Sequence, residues 1–233
     1  MKICFYQIDG IPEGKHNVKD PKVDQVDKIV EAKKKTYAQI DVIPTAEAKE
    51  ADVIIVSADQ KPDLILHDLE FIEMRLSRTP DPAEKEVLER FRVALEKEEF
   101  INSVSITPEE VTLLASYEFL TRLPVVLAQK EDLEKPDAVI VTAFHEGGCI
   151  SYLTVGGKEN RAWPIKKGMN AWEAAGAIHT DIQKGFIRAE IISFDDLVRE
   201  GGETQAKRAG KMRLETKQYI MQDCDITNFR FNK

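Results

Sequence analysis

The stretch RAWPIKKGMNAWEAAGAIHTDIQKGFIRAEIISFDDL, Arg161–Leu197, changes its hydrophobic period twice. RAWPIKK alternates apolar and polar residues as a half-buried strand does, and SYLTVG (Ser151–Gly156) just before it alternates in the same way. Together they read as two paired strands. A helix is expected from about Asn170 to Ile178, followed by a strand at Phe186–Ser193, a short helix near Phe194–Glu200 and a last strand at Ile226–Phe231. Strand–strand–helix–strand–strand over this short span is the order of a β-grasp unit. Trp163 and Trp172 are expected in its core; stacking on an RNA base is the alternative.

Upstream the pattern differs. Ile3–Ile8, Ile40–Ile43, Val53–Val56, Leu123–Ala128 and Ala138–Ala143 are near-continuous apolar runs rich in β-branched residues, which predicts buried parallel strands. Asp20 can cap a helix with Pro21 in its first position, and Val23, Val26, Ile29 and Val30 share one face. Ile65, Leu69, Ile72 and Leu76 follow heptad spacing. Pro80 and Pro82 then interrupt, and Asp81 with Glu84 predicts a capping box for a second helix striped by Leu88, Phe91 and Leu95. Residues 63–101 thus read as an antiparallel coiled-coil hairpin, inserted into an α/β body and projecting from it. Thr107, Pro108 and Glu110 open a third helix running to about Leu120.

Composition bounds the function. The chain has 233 residues, 42% hydrophobic and 32% charged, which excludes wholesale disorder. Its apolar runs are too short to span a membrane, and MKICFYQIDG lacks the h-region of a secretory leader, so a cytoplasmic protein is expected. Cys4, Cys149 and Cys224 form no CxxC and read as free thiols in a reducing compartment. The four histidines share no short spacing, so no metal site is expected. A net charge of −8 argues against DNA and against non-specific nucleic-acid binding. That charge is unevenly placed: from residue 150 onward there are 14 Lys+Arg against 11 Asp+Glu, while the remainder carries 19 against 30. A mildly basic C-terminal part can still meet phosphate locally.

The quoted stretch, continued by GGETQAKRAGKMRLETKQYIMQDCDITNFRFNK, closely resembles the TGS domain of the YchF (Obg-like ATPase) family. HTDxxxGFIRAE (His179–Glu190) and the final QDxDxxxFxFN carry the resemblance over residues 147–233. KDPKVDQVDKIVEAKKKTYAQIDV, ADVIIVS, DLILHDLEFIEMRL and ITPEEVTLLASYEFLTRLPVVLAQKEDL resemble, in turn, the family's DPR-x-D helix with its following strand, the next strand, the coiled-coil arm and the return to the nucleotide domain. The resemblance implies an α/β fold: a reduced P-loop-like α/β body (residues 1–62 plus 122–146), a helical coiled-coil arm (63–121) and a C-terminal β-grasp TGS domain (147–233).

The resemblance also shows what is altered. A working P-loop, G-x-x-x-x-G-K-[ST], cradles phosphate on successive amides, with lysine on the β/γ-phosphates and a hydroxyl on Mg²⁺. The matching place reads DGIPEGKHN. Gly10, Gly14 and Lys15 are a nucleotide-binding remnant one residue short, or else simply a strand-to-helix turn. His16 stands where Ser or Thr belongs, and imidazole is a poor Mg²⁺ ligand. Only His16–Lys19 separate Lys15 from the Asp20 cap, leaving no room for the helix that follows a P-loop. Asp41 matches the switch aspartate, but Pro44 replaces the switch glycine. Gln129 and Asp132 stand where the family reads the base with N-x-x-E, or else form a polar loop after a strand.

The resemblance therefore implies a YchF-like module without catalytic residues, bound cofactor or metal, with the ribosome or structured RNA as partner and a protein contact through the arm. A residual ATP- or GTP-binding protein with Mg²⁺, or a weak NTPase, is the alternative. Lys166, Lys167, Lys184, Arg188, Lys207, Arg208, Lys211 and Arg213 are the candidate partner-binding residues; ordinary surface solvation is the other reading. His179 is expected at a helix end in a turn, Cys149 is expected not to act as a nucleophile, and Asp195 and Asp196 are expected to start a helix.

Overall fold

The computed structural model describes residues 1–78 and 80–232. In chain order the first half lays down β1 (Lys2–Tyr6), β2 (Gly14–Val18), α1 (Pro21–Ile29), β3 (Lys34–Thr36), β4 (Ala38–Ile43), β5 (Val53–Ser57), α2 (Lys61–Leu76), α3 (Pro82–Glu96) and α4 (Pro108–Leu113). There follow β6 (Val125–Ala128), α5 (Lys130–Glu134), α6 (Asp137–Glu146), β7 (Cys149–Thr154), β8 (Glu159–Lys166), α7 (Ala171–Ile178) and α8 (Thr180–Lys184). The chain ends with β9 (Phe186–Ile192), α9 (Phe194–Glu200), α10 (Glu203–Arg208), β10 (Arg213–Glu215) and β11 (Ile226–Phe231). The fold is α/β, as the sequence predicts. Its contacts divide into two compact units, one of Met1–Lys15 with Asp41–Gly147, the other of His16–Ile40 with Gly148 onward.

One sheet has the order β2-β4-β1-β5-β6, with β4, β1, β5 and β6 parallel; of it, β1, β5, β6 and Asp41–Ile43 of β4 fall in the first unit. Val53, Ile54, Ile55 and Val56 of β5 are all 0% exposed, so this strand is covered on both faces and needs no polar alternation. The run Ala138–Ala143, predicted as a strand, is instead the middle of α6. Val139, Ile140, Ala143 and Phe144 are its buried residues, and their spacing is helical. Pro136 before it and Gly147 after it punctuate a helix, and these signals outweigh the β-branched composition.

Helices α2 and α3 form where the sequence predicts helices, and their contacts belong to this unit. Ile65, Ile72, Val87, Leu88, Phe91 and Leu95 share a core with Ile101, Leu114 and Phe119, which lie outside the two helices. Phe119 meets Phe71 and Phe91 edge-on, each at 5.5 Å between centroids. Asp81 caps α3 by accepting from the Ala83 amide at 2.9 Å, but Glu84 does not complete the predicted box. Its carboxylate accepts both Nε and Nη2 of Arg75, at 2.5 and 3.0 Å, and the Tyr117 hydroxyl at 2.5 Å. A buried carboxylate takes the charged, bidentate partner over its own helix's amides. The predicted box at Thr107 and Glu110 is present, although α4 stops at Leu113 instead of continuing to Leu120.

The second unit holds a sheet of order β10-β9-β11-β7-β8-β3. The antiparallel pair β7–β8, helix α7 and then β9 and β11 reproduce the β-grasp order. Tyr152, Ala174, Ala175, Ala189 and Ile191 lie at the heart of the core. Trp163 packs against that core, donates its indole N–H to Thr154 Oγ1 at 2.9 Å and carries Arg161 4.1 Å over its ring. Trp172 corrects the prediction: it is 39% exposed on α7. The contacts also group residues otherwise than the expected boundaries do, because residues 16–40 fall in this unit. β3 adds to the sheet parallel to β8, from Lys34↔Glu159 to Thr36↔Arg161. The Asn160 side chain, 0% exposed, donates to Asp27 Oδ1 at 2.8 Å and the Val30 carbonyl at 2.5 Å, tying α1 to β8. Among the described residues no helix is long and apolar enough to cross a membrane.

Candidate functional site

The predicted phosphate remnant is placed in two conformations. Gly10 lies in the loop after β1 with a φ of 85°. Gly14 and Lys15 open strand β2, a correction to the reading of a turn that leads into a helix. His16 is the third residue of that strand. At the start of the loop Gln7 is engaged on both main-chain groups: it donates its N–H to Thr45 Oγ1 at 3.0 Å, and its carbonyl accepts from Gln60 Nε2 at 3.0 Å. A phosphate cradle needs consecutive free amides ahead of a helix N-terminus. Among the described residues the chain passes from β1 to β2 with no helix between. The residues present therefore do not fit a Mg²⁺-nucleotide held in the P-loop manner.

Gln129 and Asp132 are close, but turned toward each other. The Asp132 carboxylate accepts the Gln129 amide at 3.1 Å, and the Asp132 N–H donates to the Gln129 carbonyl at 3.1 Å. The pair caps α5, a short helix that composition alone does not signal. Asp41 is an exposed residue of β4, in register with Lys2 of β1, and Pro44 follows where that strand ends.

Asp20, Asp223 and Cys224 gather their ligand atoms within 4.8 Å in the second unit. Asp20 Oδ1 caps α1 by accepting the Lys22 amide, and Lys22 Nζ donates to Asp223 Oδ2 at 2.7 Å. The cluster thus carries its own cation. Burial, then the Asp223 and Asp20 charges, push the Cys224 thiol far above its ordinary value, so it stays protonated. All three cysteines are buried, and none forms a disulfide among the described residues.

The eight basic candidates do not form one surface. Cross-strand neighbours share a face of a sheet. Arg188 of β9 is opposite Arg230 of β11, and Glu190 is opposite Asn228, so these four side chains share one face. Arg230 pairs with Glu190 through its Nε at 2.9 Å and its Nη2, and Asn228 Nδ2 donates to Glu190 Oε2 at 2.7 Å. Burial would raise the Glu190 carboxyl, but the hydrogen bonds from Asn228 and Arg230, with the Arg230 and Lys207 charges, hold it below the ordinary carboxylate range. Lys207 and Arg208 end α10; Lys207 sits 3.8 Å from Glu203 and close enough to Glu190 to be felt there.

Arg213 is opposite Ile191 on the other face of the same sheet. Its guanidinium lies 5.5 Å over the Tyr219 ring and donates to the Tyr219 hydroxyl at 3.1 Å. That hydroxyl donates to Asp225 at 2.9 Å, and burial followed by the Asp225 charge pushes the phenol up to about 12. Arg213 therefore belongs to a structural network. Lys184 ends α8, Lys166 ends β8, the Lys167 amide donates to the Gly148 carbonyl at 2.8 Å, and the Lys211 amide donates to the Ala206 carbonyl at 2.9 Å. Sequence reasoning missed Arg230, whose place was signalled by the alternation Asn228-Phe229-Arg230-Phe231. His179 caps α8, accepting the Asp181 amide on Nδ1 at 3.1 Å, and Asp195 and Asp196 lie in the first turn of α9, both as expected.

Comparison with known proteins bears on these placements. A family model named YchF-GTPase_C, described as a protein of unknown function (DUF933), matches residues 149–232. A curated relative from Bacillus subtilis named ribosome-binding ATPase YchF is 32% identical over 235 residues, covering 73% of this chain. The chain spans 64% of that relative's length. The protein of the same name from Escherichia coli O157:H7 is 50% identical over 106 residues, 45% of this chain and 29% of the relative. The solved structure of the Schizosaccharomyces pombe YchF GTPase overlays with a TM-score of 0.70 at 20% identity, covering 95% of this chain and 88% of that one, a likeness of fold. With the β-grasp order, the matched C-terminal segment and the relatives in agreement, the chain belongs to the YchF family.

Proposed function

We propose that this chain is a cytoplasmic, non-hydrolysing member of its family that acts as an interaction or regulatory module on the ribosome or on structured RNA. The observation that carries the reading is the direct passage from β1 to β2. Phosphoryl transfer is catalysed by positioned amides and Mg²⁺ around the transferring group. A chain that enters an edge strand at Gly14, with the Gln7 amide held by Thr45, lacks the place where those groups would act. The name ribosome-binding, carried by the relatives, supports the partner. In this reading the second unit is the TGS domain and makes the RNA contact through Arg188, Arg230, Lys207 and Arg208, with Lys166, Lys167, Lys184 and Lys211 as outlying contacts. The α2–α3 hairpin offers a protein contact.

The test is cosedimentation of the full chain with purified ribosomes at low salt, with and without ATP or GTP and Mg²⁺. Cosedimentation indifferent to nucleotide, with no phosphate released above background, is the expected result. Nucleotide-dependent binding, or turnover that a Lys15→Ala variant loses, favours the residual NTPase instead. Absence from the ribosomal pellet removes the partner.

A further inference from the structure

We propose that the β7-facing edge of β11 takes an extended peptide of a partner protein as an added strand. On its β9 side β11 is paired from Ile226↔Ile192 to Phe231↔Phe186. On its β7 side the parallel register holds only at Ile226↔Leu153, beside which the Leu153 N–H donates to the Asp225 carbonyl at 2.8 Å. β7 ends at Thr154, so from Thr227 to Phe231 the strand has no strand partner on that side among the described residues. Main-chain groups of successive strand residues point to opposite sides. The Asn232 N–H donates to the Gly185 carbonyl on the β9 side, and the Asp225 carbonyl serves the β7 side. The alternation therefore aims the N–H and C=O of Phe229 and Phe231 into the open edge.

This edge lies in a slot of about 370 Å³. One wall is apolar: Ile178 and Ile182 pack with Phe229 onto the core. The other is polar, formed by Glu203 and Lys207 beside Asn228 on the opposite face of the sheet. Phe231, which also lines it, is 37% exposed. A row of unpaired amides and carbonyls at strand spacing is matched by another main chain, which offers acceptors and donors in the same alternation. Nucleobases and phosphates offer no such row. The two unlike walls ask for apolar side chains at every second residue of the peptide and polar ones between. The proposal is independent of the RNA reading, which uses the arginine face of β9 and β11.

Panning a phage-displayed library of random dodecapeptides against the full chain tests it. Enriched sequences are expected to alternate apolar and polar residues. The best one, synthesised, is expected to shift the amide resonances of Thr154, Val155 and Thr227–Phe231 in the nitrogen-15-labelled protein. A copy N-methylated at alternate amides keeps every side chain but loses main-chain donors, and is expected to bind weaker by about tenfold or more. The proposal is overturned if no peptide is enriched, if the shifts fall elsewhere, if the N-methylated copy binds equally well, or if a poly(U) oligonucleotide moves the same amides and the peptide does not.

Discussion

Asp68 is a carboxylate on helix α2, 1% exposed. It is fully used. Oδ1 accepts the Leu120 amide at 3.1 Å, and Oδ2 accepts both the amide and the hydroxyl of Thr121, each at 2.7 Å. One side chain thus closes the chain that returns from the hairpin, satisfying donors that otherwise face no water. Asp68→Ala strands those donors and is expected to cost about 3 kcal/mol, read as a lowered urea midpoint at unchanged slope. Asp68→Asn keeps one acceptor and is expected to fall between the two. His67 adds a pH dependence. Its Nδ1 lies 3.1 Å from Asp68 Oδ1, and this hydrogen bond, against a smaller opposing effect of burial, raises the ring above its ordinary 6.5. A raised native value means that the charged ring stabilises the fold fully below pH 6.5, and that this contribution is lost as pH rises through the native value. The ring is half exposed, so the effect is small. Urea midpoints are expected to decline on going alkaline from 6.5, and His67→Gln is expected to flatten that decline.

At the scale of elements, the hairpin shows how far a pattern carries. Heptad spacing and the prolines located α2 and α3, but the stripe's destination was not in the pattern. Ile101, Leu114, Tyr117 and Phe119, which complete the core, come from a segment with no period of its own. Deleting residues 63–101 with a short turn is therefore expected to abolish cooperative melting of the first unit, seen as loss of a thermal transition in its tryptophan-free part by far-ultraviolet dichroism. Phe91→Ala, at a ring that is 0% exposed, is expected to cost about 4 kcal/mol by chemical denaturation. Other elements were less legible for stated reasons. β3 reads KKT and β10 reads RLE. Such short polar strands exist because a neighbour offers free main-chain groups, and nothing in their side chains announces it. Gly10–Lys15 reads as a strand-to-helix turn or a phosphate remnant; pairing of β2, which starts at Gly14, with β4 at the edge of a sheet decides otherwise for Gly14 and Lys15. The candidate site was partly legible for the same reason. Arg188 and Lys207 were visible as charges, whereas the pairing that places Arg230 beside Arg188 is a matter of register.

At the scale of the whole molecule, a chain of net charge −8 approaches a polyanion only with the right side forward. Long-range steering is unfavourable, so attraction must come from a short-range cluster within the screening length. On the face that carries Arg188, Arg230 and, from α10, Lys207, register brings basic groups together, and Glu190 beneath them is already paired. If these cations neutralise phosphates, affinity for ribosomes falls with salt by roughly 0.7 to 0.9 logarithmic units per logarithmic unit of salt for each contact. Two or three contacts predict a shallow slope of about −2. Arg188→Glu combined with Lys207→Glu is expected to remove most of that slope and most of the binding in sedimentation at low salt. Arg213→Gln, on the opposite face and engaged with Tyr219, is expected to leave the slope unchanged even if it lowers stability. The Lys207→Glu, Arg208→Glu, Lys211→Glu triple variant distinguishes the helix α10 from the strands: binding retained there but lost on changing Arg188 places the contact on the sheet. Binding that ignores both sets, or that ignores salt, removes the phosphate contact and leaves protein surfaces, the hairpin and the β11 edge, to account for any association.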